Sequence, residues 1–221
     1  MLFVSKKVTQ PEFLAYVNAA EINMIDTSMI SFEAVPIECP ESKYEVVFFT
    51  SPRSAQFFLN SCEIPHEVEI ATIGKVTSDF VETKGYSIAF TGVTSGIPSI
   101  VSEEFKAFVG ERKVLFPQSN YSQRSMQASL DTHQIIDLVV YKTVLTPIKL
   151  IAQPSILVFT SPTNVESFLQ LNEVSESQKV IAWGKTTEAF LSKNGIKSDF
   201  TLKYSSFEEL QKILVQLKAN Q

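Results

Sequence analysis

The sequence predicts an α/β protein of two similar lobes, each a parallel β-sheet flanked by helices. Three observations carry this prediction. The 221-residue chain repeats itself at an offset of 110 residues, short apolar runs alternate with amphipathic helical stripes, and two segments with two prolines each interrupt the alternation. Neither segment lies at the midpoint of the chain, so we expect one lobe to be discontinuous in sequence.

The repeat is clearest at Phe-Thr-Ser-Pro, residues 49–52, which recurs at residues 159–162. Positions 49–95 contain 15 identities in 47 positions without a gap, whereas background composition gives about 3. Gly-Lys at residues 74–75 and at residues 184–185 belongs to the same series. A tandem duplication explains this pattern.

Each half of the chain opens with a weakly similar strand, helix and strand. The expected elements are a strand at 2–4, a helix near 12–19 and a strand at 22–30, then a strand at 114–116, a helix near 123–130 and a strand at 135–141. Apolar runs of this length are typical of buried strands, and the intervening stripes have helical spacing.

Each repeat continues with a buried strand, at Val46 to Phe49 and at Ile156 to Phe159. A Ser-Pro pair follows each strand, and serine suits the N-cap while proline suits the first helical position. Further strands are expected at 68–73 and 179–183, and their helices end before Gly85 and Gly195. Ser95 precedes the last helix of the first repeat, and Ser206 with Glu209 forms a capping box for its counterpart.

The two proline-containing segments are the expected linkers, at about 33–40 and 146–154. They predict a continuous α/β lobe of residues 41–145 and a discontinuous lobe of residues 1–35 with 150–221. The chain then crosses between the lobes twice, and we expect a ligand cleft between lobes that move relative to one another.

Composition excludes several classes of function. The net charge is −5 with no basic block, and the longest apolar runs are strand-sized, so we expect neither nucleic acid nor a membrane as a partner. Cys39 and Cys62 are too few for a disulfide framework or a zinc site, and we expect no bound metal. The first ten residues lack the apolar stretch of a secretory signal, so we expect a protein of the reducing cytoplasm.

Two pairs of turns follow strands, where parallel sheets bind ligands. Ser51 and Ser161 belong to the Ser-Pro turns, whose helix N–H groups are able to hold carboxylates. Thr77 and Thr187 belong to the Gly-Lys turns, which lack the spacing of a Walker or dinucleotide motif and predict no phosphate cofactor. For both pairs of turns, ligand contact and plain helix capping stay open as interpretations.

Tyr141 comes just before the second linker, and its phenol is able to donate a proton to a leaving hydroxyl group. From position alone, an edge residue with its hydroxyl in water is the alternative. Arg53 begins a helix where a guanidinium can clamp a carboxylate. Arg112 and Arg124 are expected to be surface charges, and Trp183 is expected in the core.

Six segments in order resemble the uroporphyrinogen-III synthase family. They are Phe-Thr-Ser-Pro-Arg-Ser-Ala at 49–55, Ile-Gly-Lys-Val-Thr at 73–77, Val-Leu-Phe-Pro at 114–117 with Ser119 and Asn120, Val-Tyr-Lys-Thr at 140–143, Phe-Thr-Ser-Pro at 159–162 and Trp-Gly-Lys-Thr-Thr at 183–187. The resemblance extends over nearly the whole chain and implies two α/β lobes joined by a two-stranded linker.

The resemblance also implies a reaction, a cyclising lyase step of heme biosynthesis with no cofactor. The substrate is hydroxymethylbilane, a linear tetrapyrrole with carboxylate side chains. The enzyme removes its terminal hydroxyl as water, inverts ring D through a spiro intermediate and closes the macrocycle. A non-catalytic two-lobed binding protein for a carboxylated ligand, or a paired regulatory module, is the alternative. We expect a monomer.

By matched position, Tyr141 is the implied proton donor. The residues expected to bind substrate carry hydroxyl, amide or cationic side chains, namely Ser51, Arg53, Lys75, Thr77, Asn120, Ser161, Lys185 and Thr187. The segment Val4 to Lys7 departs from the threonine-arginine-proline turn of many relatives. Either Lys6 or Lys7 replaces that arginine, or the contact is missing.

Overall fold

Eleven strands and seven helices alternate along the described part of the chain. The computed structural model describes residues 1–40, 44–93 and 98–219, with side chains from residue 100 onward in the last range. The strands are β1 Leu2–Val4, β2 Met24–Asp26, β3 Ile30–Ala34, β4 Val46–Phe49, β5 Glu69–Thr72, β6 Phe90–Thr91, β7 Val114–Ser119, β8 Ile135–Leu145, β9 Ile156–Phe159, β10 Lys179–Ala182 and β11 Phe200–Thr201. The helices are α1 Pro11–Ala19, α2 Pro52–Leu59, α3 Lys75–Glu82, α4 Pro98–Val109, α5 Pro162–Leu169, α6 Lys185–Lys193 and α7 Phe207–Ala219.

These elements form two units. The discontinuous unit comprises Met1–Ser31 and Val144–Gln221, and the continuous unit comprises Phe32–Thr143. The chain therefore passes from one unit to the other twice, within β3 and within β8. The segments predicted as linkers, about 33–40 and 146–154, begin just after these two crossings.

The discontinuous unit is built on a five-stranded sheet in the order β11-β10-β9-β1-β2. All its neighbouring strands run parallel. Strand β1 lies between β9 and β2, so the first strand of the chain is placed inside a sheet whose other strands come mostly from the last third of the sequence.

The continuous unit is built on a six-stranded sheet in the order β3-β8-β7-β4-β5-β6. The strands from β8 to β6 run parallel to their neighbours. At the other edge, the Val35 N–H donates to the Val140 carbonyl, and the Thr146 N–H donates to the Met29 carbonyl. The residue number falls on one strand as it rises on the other, so β3 and β8 pair antiparallel.

The tandem duplication is visible in the element bounds. Strands β4, β5 and β6 and helix α2 have counterparts β9, β10, β11 and α5 whose bounds are all shifted by 110 residues. The strand orders β6-β5-β4-β7-β8 and β11-β10-β9-β1-β2 are also equivalent. Strand β1 thus takes the place of β7, and β2 takes the place of β8, which confirms the weak similarity of residues 2–4 to residues 114–116.

Each sheet is covered on both faces, as parallel sheets usually are. In β4, Val47 and Phe49 pack on one face against a cluster that includes residues of α2 and α3. Val46 and Phe48 pack on the other face against α4, and all four side chains are fully buried. Each such side chain stabilises the fold by roughly 1.5–3 kcal/mol, which explains why these short apolar runs become central strands.

The predicted helix signals are confirmed. Ser51 and Ser161 are the N-caps of α2 and α5, and Pro52 and Pro162 are their first residues. Gly85 and Gly195, after α3 and α6, have φ angles of 88° and 75°, which glycine adopts most readily.

Three predicted elements differ from the structure. The strand expected at 22–30 is divided into β2 and β3, because the Met29 N–H donates to the Asn164 Oδ1 atom and Ser28 bonds locally to Ile30. The helix expected at 123–130 is only a 3-10 turn at Gln127–Ser129. Arg124 has a φ of 53°, a left-handed conformation that an α-helix does not accommodate. Strand β8 continues past Tyr141 to Leu145.

The two cysteines are joined, which differs from the expectation of a chain without disulfide chemistry. A disulfide links Cys39, which follows β3, to Cys62, which follows α2. The fold brings their Cα atoms to 5.6 Å, a separation that cysteine spacing alone does not reveal. Ser95, which was predicted to precede a helix, lies outside the described residues. No helix in the described ranges has the length and apolarity to cross a membrane.

Candidate active site

A cavity of about 150 Å³ opens at the carboxyl ends of the strands in the continuous unit. Its lining combines the ends of several strands with the loop after β7: Thr50, Ile73, Gln118, Ser119, residues 122–127 and Tyr141. A larger hollow of about 500 Å³ in the discontinuous unit is lined by residues 149–154 and lies near the amino end of β9. The smaller cavity is the candidate site, because parallel sheets bind ligands at their carboxyl edges.

Tyr141 reaches this cavity through a β-bulge. The pairing of β7 with β8 shifts so that Gln118 faces Val139 and Ser119 faces Tyr141, which makes Val140 an extra residue. Val140 and Tyr141 are consequently both buried in the same apolar cluster, whereas consecutive residues of a regular strand point to opposite faces. Tyr141 is not an edge residue, because β8 lies between β3 and β7 and the residue is only 8% exposed.

Aromatic rings fix the orientation of the Tyr141 ring. Phe57 of α2 stacks on it at 5.0 Å between ring centroids, and Phe32 of β3 contacts it edge-on at 5.9 Å. The guanidinium of Arg53 lies over the Phe32 ring at 3.4 Å. The arrangement therefore packs a cation and a phenol on the same phenylalanine, with the Arg53 side chain exposed.

The Ser-Pro turn of the continuous unit is a complete capping box. The Ser51 hydroxyl accepts a hydrogen bond from the Ser54 N–H at 3.1 Å, and the Ser54 hydroxyl accepts one from the Ser51 N–H at 3.3 Å. Helix capping is thus the observed role of Ser51, and ligand contact stays a prediction. Asn120 holds the ends of β7 and β8 together, because its Oδ1 atom accepts from the Thr143 N–H at 2.9 Å.

Helix α3, which follows the Gly-Lys turn, contributes Ser78 to a chain of three hydroxyl groups. Ser78 lies between Thr72 and Thr91, at 2.6 Å and 2.7 Å between hydroxyl oxygens. Thr77 is only 3% exposed, so little of its surface is available to a ligand. The Lys75 ammonium is exposed and pairs with Asp79 at 2.7 Å, and this hydrogen-bonded carboxylate raises the pKa of Lys75.

Arg124 is a surface charge, as the sequence predicts, and it has a further role at the cavity. Its side chain is 56% exposed, but it lines the cavity and forms an ion pair with Asp137 at 2.7 Å. Gln118 and Gln127, which the sequence analysis did not single out, line the same cavity. A buried glutamine on an otherwise apolar strand, as Gln118 is on β7, was the available signal. His66 and His133 are exposed.

The discontinuous unit carries an equivalent edge. Ser161 caps α5 by accepting from the Asn164 N–H at 3.2 Å and from the Asn164 side-chain amide at 3.0 Å. Thr187 is 3% exposed, as Thr77 is in the other unit. Among the described residues, Lys185 has no carboxylate partner, because Ala189 stands where Asp79 pairs with Lys75.

Lys6 lies beside two aromatic rings at this second edge. Its ammonium is 4.0 Å from the ring centroid of Trp183 and 4.6 Å from that of Phe207. Burial lowers the pKa of Lys6, while the rings stabilise the charged form. Lys7 instead pairs with Asp26 at 3.1 Å. Trp183 is buried in the core, as predicted.

These two edges suit the binding of an anionic ligand and the transfer of a proton. Each edge combines helix N-termini with exposed or half-buried cations, and the continuous unit adds a phenol in a cavity. Across residues 1–40, 44–93 and 98–219, no group of three or more His, Cys, Asp or Glu side chains is placed to hold a metal ion.

Comparison with known proteins identifies similar sequences. A family model described as "Uroporphyrinogen-III synthase HemD" matches residues 13–211 of the chain. A curated protein named uroporphyrinogen-III synthase, from Chlorobaculum parvum, is 25% identical over 226 residues, which cover 89% of this chain and 92% of that protein.

Solved structures share the fold. The chain is similar to a crystal structure of uroporphyrinogen-III synthetase from Helicobacter pylori, with a TM-score of 0.74, 20% identity and coverage of 98% of each chain. It is also similar to a mutant uroporphyrinogen III synthase from Thermus thermophilus, with a TM-score of 0.64, 12% identity and coverage of 99% of this chain and 98% of that one. At these identities, the structures support the predicted fold of two α/β lobes.

Proposed function

The chain belongs to the uroporphyrinogen-III synthase family, and from this premise we propose how its own residues convert hydroxymethylbilane to uroporphyrinogen III. The reaction removes water, inverts ring D and closes the ring, so the enzyme is a cyclising lyase of tetrapyrrole biosynthesis. The match of the family model to residues 13–211 carries this conclusion. It favours the synthase over a non-catalytic protein that binds a carboxylated ligand.

The first chemical step is loss of the terminal hydroxyl group. We propose that the Tyr141 phenol donates a proton to this hydroxyl, so that the C–O bond breaks and water leaves. The electron-rich pyrrole that bore the hydroxymethyl group stabilises the resulting cation, and one weak acid is therefore sufficient. Ring D attacks this cation through its substituted carbon, rearranges through a spiro intermediate, and finally loses a proton that restores its aromaticity.

The observation that supports Tyr141 as the donor is its environment. Phe57 and Phe32 hold the ring at the cavity, and the bulge in β8 directs it there. A donor with a fixed ring needs little rearrangement before proton transfer, which matters because the spontaneous ring closure competes with the enzyme.

We further propose that both strand-end edges contact the substrate. The proposed contacts in the continuous unit are Ser51, Arg53, Lys75, Thr77 and Asn120, and those in the discontinuous unit are Ser161, Lys185 and Thr187, with Lys6 in place of the family's arginine. Local cations and helix N-termini attract the carboxylates although the net charge of the chain is −5. Many weak contacts of this kind orient ring D for attack through the substituted carbon.

The reaction is redox-neutral, and we propose that it proceeds without a cofactor. We also propose that the protein works as a monomer in the cytoplasm. Sedimentation of the purified protein tests the monomeric state, and fractionation of the producing cells tests the cytoplasmic location.

The proposed function is tested by an isomer-resolved assay. Hydroxymethylbilane is generated in situ, and the macrocyclic products are separated after oxidation. We expect the type III isomer in the presence of the protein and the type I isomer in its absence. Exclusive formation of the type I isomer with folded protein contradicts the synthase assignment.

Substitution Tyr141→Phe tests the proton donor. We expect kcat to fall by about 100-fold, as is common on removal of a general acid, with product affinity changed by less than about twofold. Single-turnover kinetics and titration with product measure the two quantities. Tyr121→Phe is the matched control, because Tyr121 is exposed and does not line the cavity. An unchanged kcat for Tyr141→Phe removes this role from Tyr141.

A further inference from the structure

Two buried amide side chains line the candidate cavity. Gln118 on β7 and Gln127 in the following 3-10 turn are only 6% and 5% exposed. The Gln127 Nε2 atom donates to the Gln118 Oε1 atom at 3.0 Å and to the Asp137 Oδ1 atom at 3.0 Å. Burial of two long amides is unfavourable unless they are hydrogen-bonded, and here Gln127 bonds both to the Gln118 amide and to the Asp137 carboxylate.

The Asp137 carboxylate connects the two glutamines to Arg124. Its Oδ1 atom is held by Gln127, and its Oδ2 atom pairs with the Arg124 Nη2 atom at 2.7 Å. The Arg124 backbone has a φ of 53°, and its N–H donates to the Ser122 hydroxyl at 3.2 Å. A non-glycine residue in this conformation is unfavourable, and here it allows the guanidinium to reach Asp137 from within the loop.

Stability alone does not explain this arrangement. The Arg124 and Asp137 side chains are 56% and 29% exposed, and partly exposed ion pairs contribute little to folding. The pair instead lies at a cavity wall that Tyr141 shares. The ion pair joins the Nη2 atom of Arg124 to the Oδ2 atom of Asp137, and a guanidinium has five N–H donors in all.

The size of the cavity limits what it binds. At about 150 Å³ it is smaller than the roughly 300–1,000 Å³ that typical small-molecule pockets occupy, so it cannot hold a linear tetrapyrrole. It can hold one substrate side chain. A carboxylate is the group that the fork of a guanidinium binds best.

We infer that Arg124 binds a carboxylate of the pyrrole ring that carries the leaving hydroxyl, and that Asp137, held by Gln127 and Gln118, is its positioning residue. This inference rests on the proposed function, because the shared cavity relates Arg124 to the proposed proton donor Tyr141. It assigns Arg124 to recognition of the reacting end of the substrate.

Kinetics of Arg124→Gln test the binding role. We expect KM for hydroxymethylbilane to rise about 10- to 100-fold and kcat to change less than about threefold, since a charge-assisted pair is lost in both substrate and transition state. Arg124→Lys keeps the charge without the fork, and we expect an intermediate KM. Arg112→Gln is the matched control, because Arg112 bonds to Glu69 and to backbone carbonyls outside the cavity. Its KM is expected to match the wild type.

Substitution Asp137→Asn tests the positioning role. We expect a rise in KM of about three- to tenfold in the wild-type background and no further rise in the Arg124→Gln background. A purely structural role of Asp137 predicts the same effect in both backgrounds, accompanied by a lower Tm. If Arg124→Gln does not fold, the single variants Asp137→Asn and Arg124→Lys test the inference instead. The inference requires KM to rise in both variants, and an unchanged KM in either one contradicts it.

A substrate analogue identifies the carboxylate. The analogue is a hydroxymethylbilane with a methyl group in place of the acetate on the ring that bears the hydroxymethyl group. We expect the wild type to bind it more weakly than the substrate, and Arg124→Gln to bind both equally. If the wild type is active and the KM of Arg124→Gln is unchanged, the inference about Arg124 is overturned and the proposed function is not. A wild type that yields only the type I isomer overturns the proposed function as well.

Discussion

Lys75 and Lys185 occupy equivalent positions in the two repeats but differ in their charge environment. The Lys75 ammonium pairs with Asp79, whose hydrogen bond and charge raise the pKa of this lysine. In the second repeat, Ala189 stands at the position of Asp79, and among the described residues Lys185 has no carboxylate partner. A single substitution one helical turn away therefore distinguishes two otherwise equivalent cations.

We expect Lys185→Ala to raise KM for hydroxymethylbilane more than Lys75→Ala does. The expected factors are about tenfold for Lys185→Ala and less than about threefold for Lys75→Ala, because a lysine already paired in solvent adds little attraction. Steady-state kinetics at low salt measure both, and added salt should reduce the difference. Equal KM values for the two variants contradict the idea that Asp79 competes with the substrate.

The residues of the candidate site differ in how far the sequence reveals them. Ser51 and Ser161 are recognisable because a cap depends on its local neighbours. Arg124 and Asp137 are 13 positions apart, and their pairing depends on a left-handed residue in a loop that was predicted to be helical. No periodicity specifies such a loop, so the sequence revealed the surface charge but not its pairing with Asp137.

The strand β3 and the helix α2 are the elements that flank Tyr141, and the disulfide fastens them to each other. Phe32 belongs to β3, while Arg53 and Phe57 belong to α2. Cys39 follows the first element and Cys62 follows the second, so the bond joins the chain after β3 to the chain after α2. Opening the bond therefore loosens the support of the proposed proton donor.

We expect reduction of this disulfide to lower the Tm of the oxidised protein. Closure of a loop with a sequence separation of 23 residues stabilises a fold by about 3 kcal/mol, which corresponds to a shift of roughly 6–12 °C for a chain of this size. Calorimetry with and without a phosphine reductant measures the shift. Cys39→Ser is the control, because the reductant should leave its Tm unchanged.

A thiol count accompanies this measurement. Titration of the denatured, unreduced protein should find no free thiol in the oxidised form and one in Cys39→Ser. The presence of the disulfide is contradicted if protein purified without reductant has two free thiols and a Tm that the reductant does not alter. In the reducing cytoplasm that we propose, thiol exchange opens disulfides of this kind.

The two units of the molecule differ in how they depend on the rest of the chain. The continuous unit takes its strands from one stretch of sequence, whereas β1 is an inner strand of the other sheet and lies next to β9. The clusters on both faces of the discontinuous unit contain residues of β1, namely Leu2 and Val4 on one face and Phe3 on the other.

We expect a fragment of residues 30–145 to fold alone and a fragment of residues 144–221 to remain unfolded. The first keeps all six strands of its sheet, and the second loses two of five strands and exposes the edge of β9. Circular dichroism and urea unfolding of each fragment check this. Addition of a peptide of residues 1–31 should restore cooperative unfolding to the second fragment, and cooperative unfolding without it contradicts the argument.

The architecture of the whole molecule was more accessible from sequence than its details. Duplicated strands and glycine turns, such as Gly85 and Gly195, are set by local patterns and were found. The placement of the proline segments away from the midpoint indicated a discontinuous lobe. The bulge at Val140 and the disulfide were missed, because both depend on contacts between segments that share no local signal.

The inner position of β1 has a consequence for synthesis on the ribosome. Leu2 pairs with Ile156, and about 150 residues of chain are made between them. At about 5–20 residues per second, β1 waits roughly 8 to 30 s for its central partner. The continuous unit emerges complete during that interval, so it is expected to fold first, while an apolar segment stays exposed to chaperones and to neighbouring nascent chains.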